Sequence, residues 1–310
     1  MKKIILLNIV AVLFLSACNK ADEEVYDVDS TSELSQQVGD SMASIDEGSG
    51  TTTGTYAVNK LMNTTGFEKT YARLSQDKIF SDPTLFVKKM SNLFQPNANA
   101  AACNTVAFST CASGQKIRNL SGCSVGTTGV MNGTVTLNFS GTGAATCTMP
   151  AINDFVSRVP NFSISGLRGA NFAVKAVTTG QKIKNIGNIN SMTFENTGIN
   201  RKFTTNSGKV ILDVTTSTSA PIAITNAGRN SRTVSGGGIT VIDNLTALSC
   251  TLNPNVVTWT ANCNCPTSGT WSGSCSDSST LTIAFSNACG VTTVTKGSEI
   301  KSVTMDRCQQ

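Results

Sequence analysis

The chain has 310 residues, of which 14% are charged, and its formal net charge is +5 at pH 7. Globular proteins usually carry about 25% charged residues, so polar uncharged side chains must cover much of this surface, as in exported β-rich proteins. The sequence contains no histidine, which excludes a Ser-His-Asp triad and a histidine-ligated metal. Its basic residues are scattered, and this pattern gives no reason to expect binding to nucleic acid.

The first twenty residues, MKKIILLNIVAVLFLSACNK, have the form of an export signal. Lys2 and Lys3 precede an apolar run over residues 4–14. This run is too short to cross a hydrocarbon core of about 30 Å, but it has the length of a signal-peptide core. The chain is therefore expected to be exported.

The segment Leu15-Ser16-Ala17-Cys18 resembles the lipobox of bacterial lipoproteins. The resemblance implies removal of residues 1–17, a diacylglyceryl group on the Cys18 thiol and usually an N-acyl chain such as palmitate. Two or three acyl chains anchor a protein stably to a membrane. The alternative is an ordinary secretory signal with a chance cysteine. An aspartate after the lipid cysteine retains enterobacterial lipoproteins at the inner membrane, so Asn19 implies the outer membrane of the cell envelope.

Charge is distributed unevenly between the segment after Cys18 and the rest of the chain. Residues 19–50, called here the acidic leader, carry nine acids and one base, whereas residues 51–310 carry 21 bases and ten acids. A basic body can rest on anionic lipid headgroups or acidic polysaccharide, and the leader could fold against it. The alternative is ordinary solvated surface charge.

The region before residue 103 predicts two short helices. A tether over residues 19–29 leads to a helix over residues 30–46, where a capping box begins a stripe formed by Leu34, Val38, Met42 and Ile45. A Gly/Ser/Thr linker follows, and a second helix is expected from Asp82. The predicted organisation is a tether, helix and linker over residues 18–55, a helical segment over 56–102 and a β domain over 103–310.

From residue 103 onward the sequence predicts β-structure. In GTVTLNFSG, residues 133–141, Val135, Leu137 and Phe139 share one face, and STLTIAFSN, residues 279–287, alternates in the same way. GKVILDVTT, GGITVIDNL and NVVTWTANC are further candidate strands. Their spacing indicates a mainly β, antiparallel protein and leaves a sandwich, a barrel and an extended meander open.

Cys18 apart, ten cysteines fall into two clusters. In an oxidising compartment they should form five disulfides. A zinc site would more often contain C-x-x-C pairs or histidine, and the closest pair here is C-x-C. The predicted disulfide residues are Cys103, Cys111, Cys123 and Cys147 in the first cluster, and Cys250, Cys263, Cys265, Cys275, Cys289 and Cys308 in the second.

The two clusters resemble copies of one unit. Cys111 to Cys123 is twelve residues and so is Cys263 to Cys275, and each second cysteine precedes one of the matched strands. This spacing predicts a duplicated unit over residues 103–148 and 250–308.

The spacing also suggests a set of bridges. The equal spacing favours Cys111–Cys123 and Cys263–Cys275, and a hairpin turn at residues 296–299 would bring Cys289 opposite Cys308. The remaining cysteines then pair as Cys103–Cys147 and Cys250–Cys265. The alternative is that Cys263 and Cys265 exchange partners, because a slip of one residue reverses the face on which a side chain lies.

Matches to catalytic motifs are interpreted as chance. Residues 122–126 fit G-x-S-x-G, but without histidine Ser124 has no base, and Ser298-x-x-Lys301 fits S-x-x-K without its partner motifs. No catalytic residue, cofactor or metal is therefore predicted.

The expected function is a non-catalytic structural, adhesive or interaction role in the envelope. The alternative is a carrier for a lipid or glycan in a β half-barrel groove, and an enzyme is the third class. The body resembles uncharacterised Ser/Thr/Gly-rich, cysteine-stapled lipoproteins of Gram-negative bacteria, which implies no activity.

Overall fold

The computed structural model describes residue 103 and residues 106–304, apart from gaps at 126–128, 149–150, 167–168, 188–190, 226–231, 261–262 and 264. Cys18, the acidic leader and both predicted helices lie outside the described residues. Within the described part of the chain, no helix has the length and apolar character needed to cross a membrane.

Fifteen strands form one sheet, and every pairing between them is antiparallel. The prediction of a mainly β, antiparallel protein is confirmed. The strands are β1 (Gln115–Asn119), β2 (Cys123–Val125), β3 (Gly129–Phe139), β4 (Phe155–Gly166), β5 (Asn171–Ala176), β6 (Gln181–Asn185), β7 (Ser191–Asn196), β8 (Ile199–Thr204), β9 (Val210–Thr225), β10 (Thr233–Asp243), β11 (Leu248–Thr258), β12 (Ser268–Cys275), β13 (Thr280–Phe285), β14 (Val291–Lys296) and β15 (Glu299–Thr304). A 3-10 turn, Gly141–Gly143, follows β3.

The strands cross the sheet in chain order, so the architecture is a meander. The same edge of β4 pairs with both β5 and β6, and the same edge of β9 pairs with both β7 and β8. Thus β5 and β6 are two halves of one interrupted strand, and β7 and β8 are two halves of the next. Of the three architectures that the sequence left open, this strand order is that of the meander.

Alternating side chains explain which face of each strand is buried. Val135, Leu137 and Phe139 of β3 are buried, while the intervening residues are partly exposed on the other face. Leu281 and Ile283 of β13 repeat this pattern. The candidate segment NVVTWTANC is a strand only in part, because β11 ends at Thr258.

The inner face of the sheet contains the hydrophobic core. The buried apolar residues of all the long strands belong to one cluster. Trp259 and Trp271 are among its largest members and are 2% and 0% exposed. Because both tryptophans of the chain are buried, neither can form an aromatic platform on the surface.

The meander places successive turns at alternate ends of the sheet. The end with the β3–β4 loop is called here the upper end, and it also contains the β11–β12 and β13–β14 loops. The opposite, lower end contains the β4–β5, β10–β11 and β12–β13 turns. This division determines which cysteines can meet.

Candidate functional site

Four disulfide bridges lie within the described residues, two in each cysteine cluster. In each cluster one bridge lies at the upper end and one at the lower end. The upper bridges are Cys111–Cys147 and Cys263–Cys289, and the lower bridges are Cys103–Cys123 and Cys250–Cys275. The two clusters are therefore fastened at both ends of the sheet.

The predicted pairings Cys111–Cys123, Cys263–Cys275, Cys103–Cys147, Cys250–Cys265 and Cys289–Cys308 are wrong. For the two twelve-residue spacings, the physical reason is that a strand lies between the two cysteines and holds them apart. An extended strand advances about 3.3 Å per residue, so β12, with eight residues, spans roughly 26 Å between the positions of Cys263 and Cys275. A bridge needs Cα atoms within about 7 Å.

The hairpin expected near residues 296–299 is present, with Lys296 opposite Glu299. Nevertheless Cys289 lies in the β13–β14 loop at the upper end, where the β11–β12 loop presents Cys263, and these two residues bond. Cys265 is also disulfide-bonded, and its partner lies outside the described residues.

Both clusters share one connectivity. If Cys265 is set aside, the first cysteine of each cluster bonds the third and the second bonds the fourth. The positions that the sequence aligned, such as Cys111 with Cys263 and Cys147 with Cys289, thus have equivalent bonds. This equivalence supports the proposal of a duplicated unit, although the predicted bridges were different.

The structure shows what surrounds the motifs interpreted as chance matches. Cys123, within the G-x-S-x-G match, is bonded to Cys103. In the S-x-x-K match, Lys301 Nζ lies 2.7 Å from Glu299 Oε1. Among the described residues, no three His, Cys, Asp or Glu side chains are grouped so that they could hold a metal ion.

Four arginines lie on the inner face, and the sequence analysis did not identify them. Arg118, Arg158, Arg201 and Arg232 are at most 3% exposed. Arg118 donates to the Val106 carbonyl at 2.8 Å and to the Cys103 carbonyl. It therefore positions the segment that carries the first bridge.

Arg232 has a different environment at the upper end. Its guanidinium carbon lies 5.6 Å from the centroid of the Trp259 ring, which is within the range of a cation–π contact. The Trp259 backbone N–H also donates to the Arg232 carbonyl at 3.1 Å. These contacts fasten the start of β10 to the end of β11.

Arg158 and Arg201 belong to a buried polar network. It lies where β5 gives way to β6 and β7 gives way to β8, the two interrupted strands. Arg158 Nη1 donates to Gln181 Oε1 at 3.3 Å, and Arg201 Nη1 donates to Thr216 Oγ1 at 3.0 Å. Asn196 on β7 connects these two pairs. It is the residue paired with Gln181 across the β6–β7 ladder, and its Nδ2 donates to the Thr216 carbonyl at 3.0 Å. Because an arginine side chain stays charged in proteins, the network holds two cations inside the core.

Gly180 allows the interrupted strand to approach Arg158. It has a φ of +76°, and a Cβ at this position would lie 2.2 Å from the Arg158 carbonyl oxygen. Only glycine accepts both the left-handed backbone and this close approach. Gly180 thus brings Gln181 next to Arg158.

Part of this network was readable from the sequence. Ile199, Arg201 and Phe203 alternate with polar residues, and all three are buried. Arg118 gave the opposite signal, because its neighbour Ile117 is 42% exposed while Arg118 is buried. Strand alternation alone would have placed Ile117 inside and Arg118 outside.

The outer face of the sheet is covered by hydroxyl and amide side chains. Thr240 and Thr251 lie opposite each other with their Oγ1 atoms 3.1 Å apart. The next exposed positions across the sheet are Ser274 and Thr280. This face therefore offers many neutral hydrogen-bonding groups to a partner.

One carboxylate is built into this outer face. Asp213 Oδ1 accepts from Asn200 and Asn244, both at 2.8 Å, and Oδ2 lies 3.2 Å from Lys202 Nζ. Burial raises the pKa of Asp213, but these hydrogen bonds and the Lys202 charge outweigh burial and hold it below its usual value. The carboxylate is therefore ionised, and its oxygens are occupied by neighbours from β8 and from the turn after β10.

Comparisons of this chain with protein families, with curated proteins and with solved structures find no match.

Proposed function

We propose that the protein is a lipid-anchored component of the bacterial cell envelope, held in the outer membrane by acyl chains on Cys18, with a non-catalytic structural, adhesive or interaction role. The single observation that carries the role is the contrast between the two faces of the sheet. The apolar side chains of the inner face are buried in one core, whereas the outer face presents Ser, Thr and Asn side chains. Such a molecule is suited to contact a polar partner.

The disulfides support an exported location. Nine of the cysteines are disulfide-bonded, and such bonds persist mainly in oxidising compartments. Lipidation of Cys18 and sorting by Asn19 rest on the sequence resemblance alone, so they remain part of the proposal.

The buried inner face favours this role over that of a carrier. A residue that lines an empty, ligand-sized cavity retains accessible surface, yet Phe172, Val174, Trp271, Leu281 and Ile283 are all 0% exposed. Lipid or glycan pockets usually span several hundred cubic ångströms. The inner positions of the described strands therefore support a filled core.

The excess of basic residues supports an anionic surface as partner. Lys175 and Lys209 are exposed, and Lys184 is partly exposed. We propose that these side chains contribute to contact with anionic lipid headgroups or acidic polysaccharide. Binding of the lipid-free protein to vesicles containing anionic lipid should weaken as salt rises, because exposed charges are screened, and neutral vesicles serve as the control.

Native mass spectrometry of protein extracted from membranes distinguishes the two functions. We expect the mass of residues 18–310 with acyl chains and disulfides and no further ligand. A stoichiometric lipid or glycan on the purified protein would establish the carrier instead. Cys18→Ser should lose the acyl mass and leave the membrane fraction; unchanged fractionation would refute the anchor.

The outer face can be tested in cells that lack the native gene. An envelope defect that the wild-type protein restores should persist with Thr251→Arg/Ser272→Arg, since both positions are exposed on the outer face. Asn206→Arg, in the exposed β8–β9 turn, is the matched control and should restore function. If the double variant restores the envelope as fully as the wild type does, the outer face is excluded as the interaction surface.

A further inference from the structure

The outer positions of β12, β13 and β14 form an uncharged patch. Six hydroxyl-bearing residues on these strands are called here the hydroxyl face: Ser272, Ser274, Thr280, Thr282, Thr293 and Thr295. The ladders bring them side by side, with Ser274 opposite Thr280 and with Thr282 between Ser272 and Thr295. From the spacing of strands and of alternate residues, the hydroxyl face measures roughly 10 Å by 14 Å.

The hydroxyl groups of this face are available to a partner. Four of the six residues are exposed, and Thr282 and Thr295 are partly exposed. Within the described residues, none of these six hydroxyls makes a hydrogen bond to another protein group. The other half of the outer face differs, because Asn138 accepts from Gln115 at 2.8 Å and Asn171 donates to Ser165 at 3.0 Å. There the polar side chains bond one another.

The absence of charge restricts the kind of partner. Lys296, at the end of β14, lies opposite the inner residue Leu281 and pairs with Asp277 at 3.1 Å, so it does not belong to the hydroxyl face. A charged partner would lose hydration there without meeting a countercharge. An apolar partner would cover hydroxyls without bonding them. Because a hydroxyl both donates and accepts, the matching partner is uncharged and carries donors and acceptors together.

The size and composition of the hydroxyl face favour a glycan chain over a protein. A stable protein interface buries about 800 Å² on each partner, which is several times the area of this patch. Binding energy in such interfaces comes mainly from Trp, Tyr and Arg, and the hydroxyl face contains none of them. An extended glycan is narrow and repeats its hydroxyls along its length, so several weak contacts can form at once.

We propose that the hydroxyl face binds a neutral polysaccharide chain through hydrogen bonds from its serine and threonine side chains. This inference rests on the proposed function, since it names the partner of the outer face. It also separates two binding regions. The exposed lysines proposed to meet an anionic surface include Lys175 on β5 and Lys184 on β6, whereas the neutral chain lies across β12, β13 and β14.

Affinity electrophoresis of the purified mature chain tests this proposal. Native gels contain dextran, mixed-linkage β-glucan or galactomannan as neutral probes, and alginate as the anionic comparison. At least one neutral polysaccharide should retard the wild type. Thr280→Val/Thr282→Val removes two hydroxyls but keeps branched side chains that suit a strand. This double variant should raise the apparent Kd for that polysaccharide about tenfold.

The matched control is Thr134→Val/Thr136→Val on β3, where the same residue types have the same spacing. Thr136 lies between Ile117 and Val159 on the neighbouring strands, so this variant should bind as the wild type does. If Thr280→Val/Thr282→Val lowers the urea midpoint, Ser272→Ala/Ser274→Ala replaces it.

Three results would overturn the proposal: no retardation by any neutral probe, equal loss of binding in the β13 and β3 variants, or stronger retardation by alginate than by every neutral probe. The proposed function is decided separately. The restoration experiment with Thr251→Arg/Ser272→Arg reports on the outer face in cells whatever the chemistry of the partner is.

Discussion

The cysteine-rich regions and the middle of the sheet are held together in different ways. Toward the two edges, residues 103–147 and 250–289 are each fastened by two disulfides. Between them, residues 148–249 contain no cysteine, and the strands there surround the buried Arg158–Arg201 network. Strands near an edge have less of the sheet beside them than central strands. Covalent bonds thus reinforce the less enclosed regions, while the enclosed region relies on packing and hydrogen bonds.

The largest effect is expected from breaking the packing of the middle. Phe172 is 0% exposed on β5, and Phe172→Ala should lower the free energy of unfolding by about 3–5 kcal/mol, since it removes buried apolar surface and leaves a cavity. Urea denaturation under non-reducing conditions measures this. Thr251→Ala on the outer face is the control and should change it by less than about 0.5 kcal/mol; equal losses would contradict the assignment of faces.

Removing one bridge should have a somewhat smaller effect. The bridge Cys250–Cys275 closes a sequence separation of 25 residues, so Cys250→Ala/Cys275→Ala should cost about 3 kcal/mol, mainly because the unfolded chain gains freedom. The same denaturation experiment applies, and with reducing agent the difference from wild type should shrink. A loss that persists in full after reduction would show that cysteine packing, rather than the bond, is responsible.

Peptide mapping sharpens the description of the second cysteine-rich region. Cys265 is disulfide-bonded, and besides Cys265 itself the cysteines outside the four assigned bridges are Cys18 and Cys308. With Cys18 proposed to carry lipid, we expect a Cys265–Cys308 peptide in an unreduced digest and no free thiol among the ten remaining cysteines. A Cys18–Cys265 peptide would refute both this bridge and the lipid anchor.

The buried network of the middle can be weakened at one hydroxyl. Thr216 accepts from Arg201 and is 0% exposed, so Thr216→Val should cost about 1–3 kcal/mol by leaving a buried donor without this partner. Thr240→Val is the matched control because its hydroxyl pairs with Thr251 on the outer face. If both changes cost the same, the network contributes no more than a surface hydrogen bond.

The smallest effect is expected from removing a single carboxylate, and one carboxylate from each region allows a comparison. Hydrogen bonds from the Ser279 hydroxyl and backbone N–H, with Lys296 nearby, lower the pKa of Asp277 to about 2, from an ordinary 3.8. Because the folded pKa is the lower one, its stabilisation is present above about pH 4 and is lost as pH falls toward 2. In the variant Asp277→Asn, the urea midpoint should therefore depend less on pH over that interval than it does in the wild type.

Asp213 in the middle provides the counterpart. Its pKa is also lowered, so Asp213→Asn should likewise remove stability that wild type loses on acidification below its unfolded pKa. Midpoints measured at several pH values between 6 and 2 compare the two variants. A wild-type-like acid dependence in either variant would show that its carboxylate does not contribute to that dependence.

The sequence predicted the strands better than the contacts between them. The alternation of Val135, Leu137 and Phe139 gave the correct buried face, since side-chain direction in a strand has a period of two. Bridges depend on which end of the sheet each cysteine reaches, and that requires the complete strand order. The hairpin after Lys296 was readable because its turn is local, whereas the bond from Cys289 to Cys263 depends on a neighbouring loop.

The candidate site was harder to predict. Burial of Arg201 follows from its place between Ile199 and Phe203, but nothing local shows that Thr216 and Asn196 meet it. Arg158 reaches Gln181 only because residues 177–180 interrupt a strand and Gly180 permits close approach. Such a network depends on several strands, so no single segment reveals it.

The order of the meander has a consequence for how the sheet is assembled from the unfolded chain. Each long strand pairs with the strand or interrupted strand that precedes it in the chain, and the described bridges join residues only 20 to 36 positions apart. The sheet can therefore grow one hairpin at a time from its N-terminal edge, and each disulfide can close soon after its second cysteine emerges. Contacts between sequence neighbours favour fast folding in β proteins. Under the exported location proposed above, few strands would remain unpaired while the chain emerges.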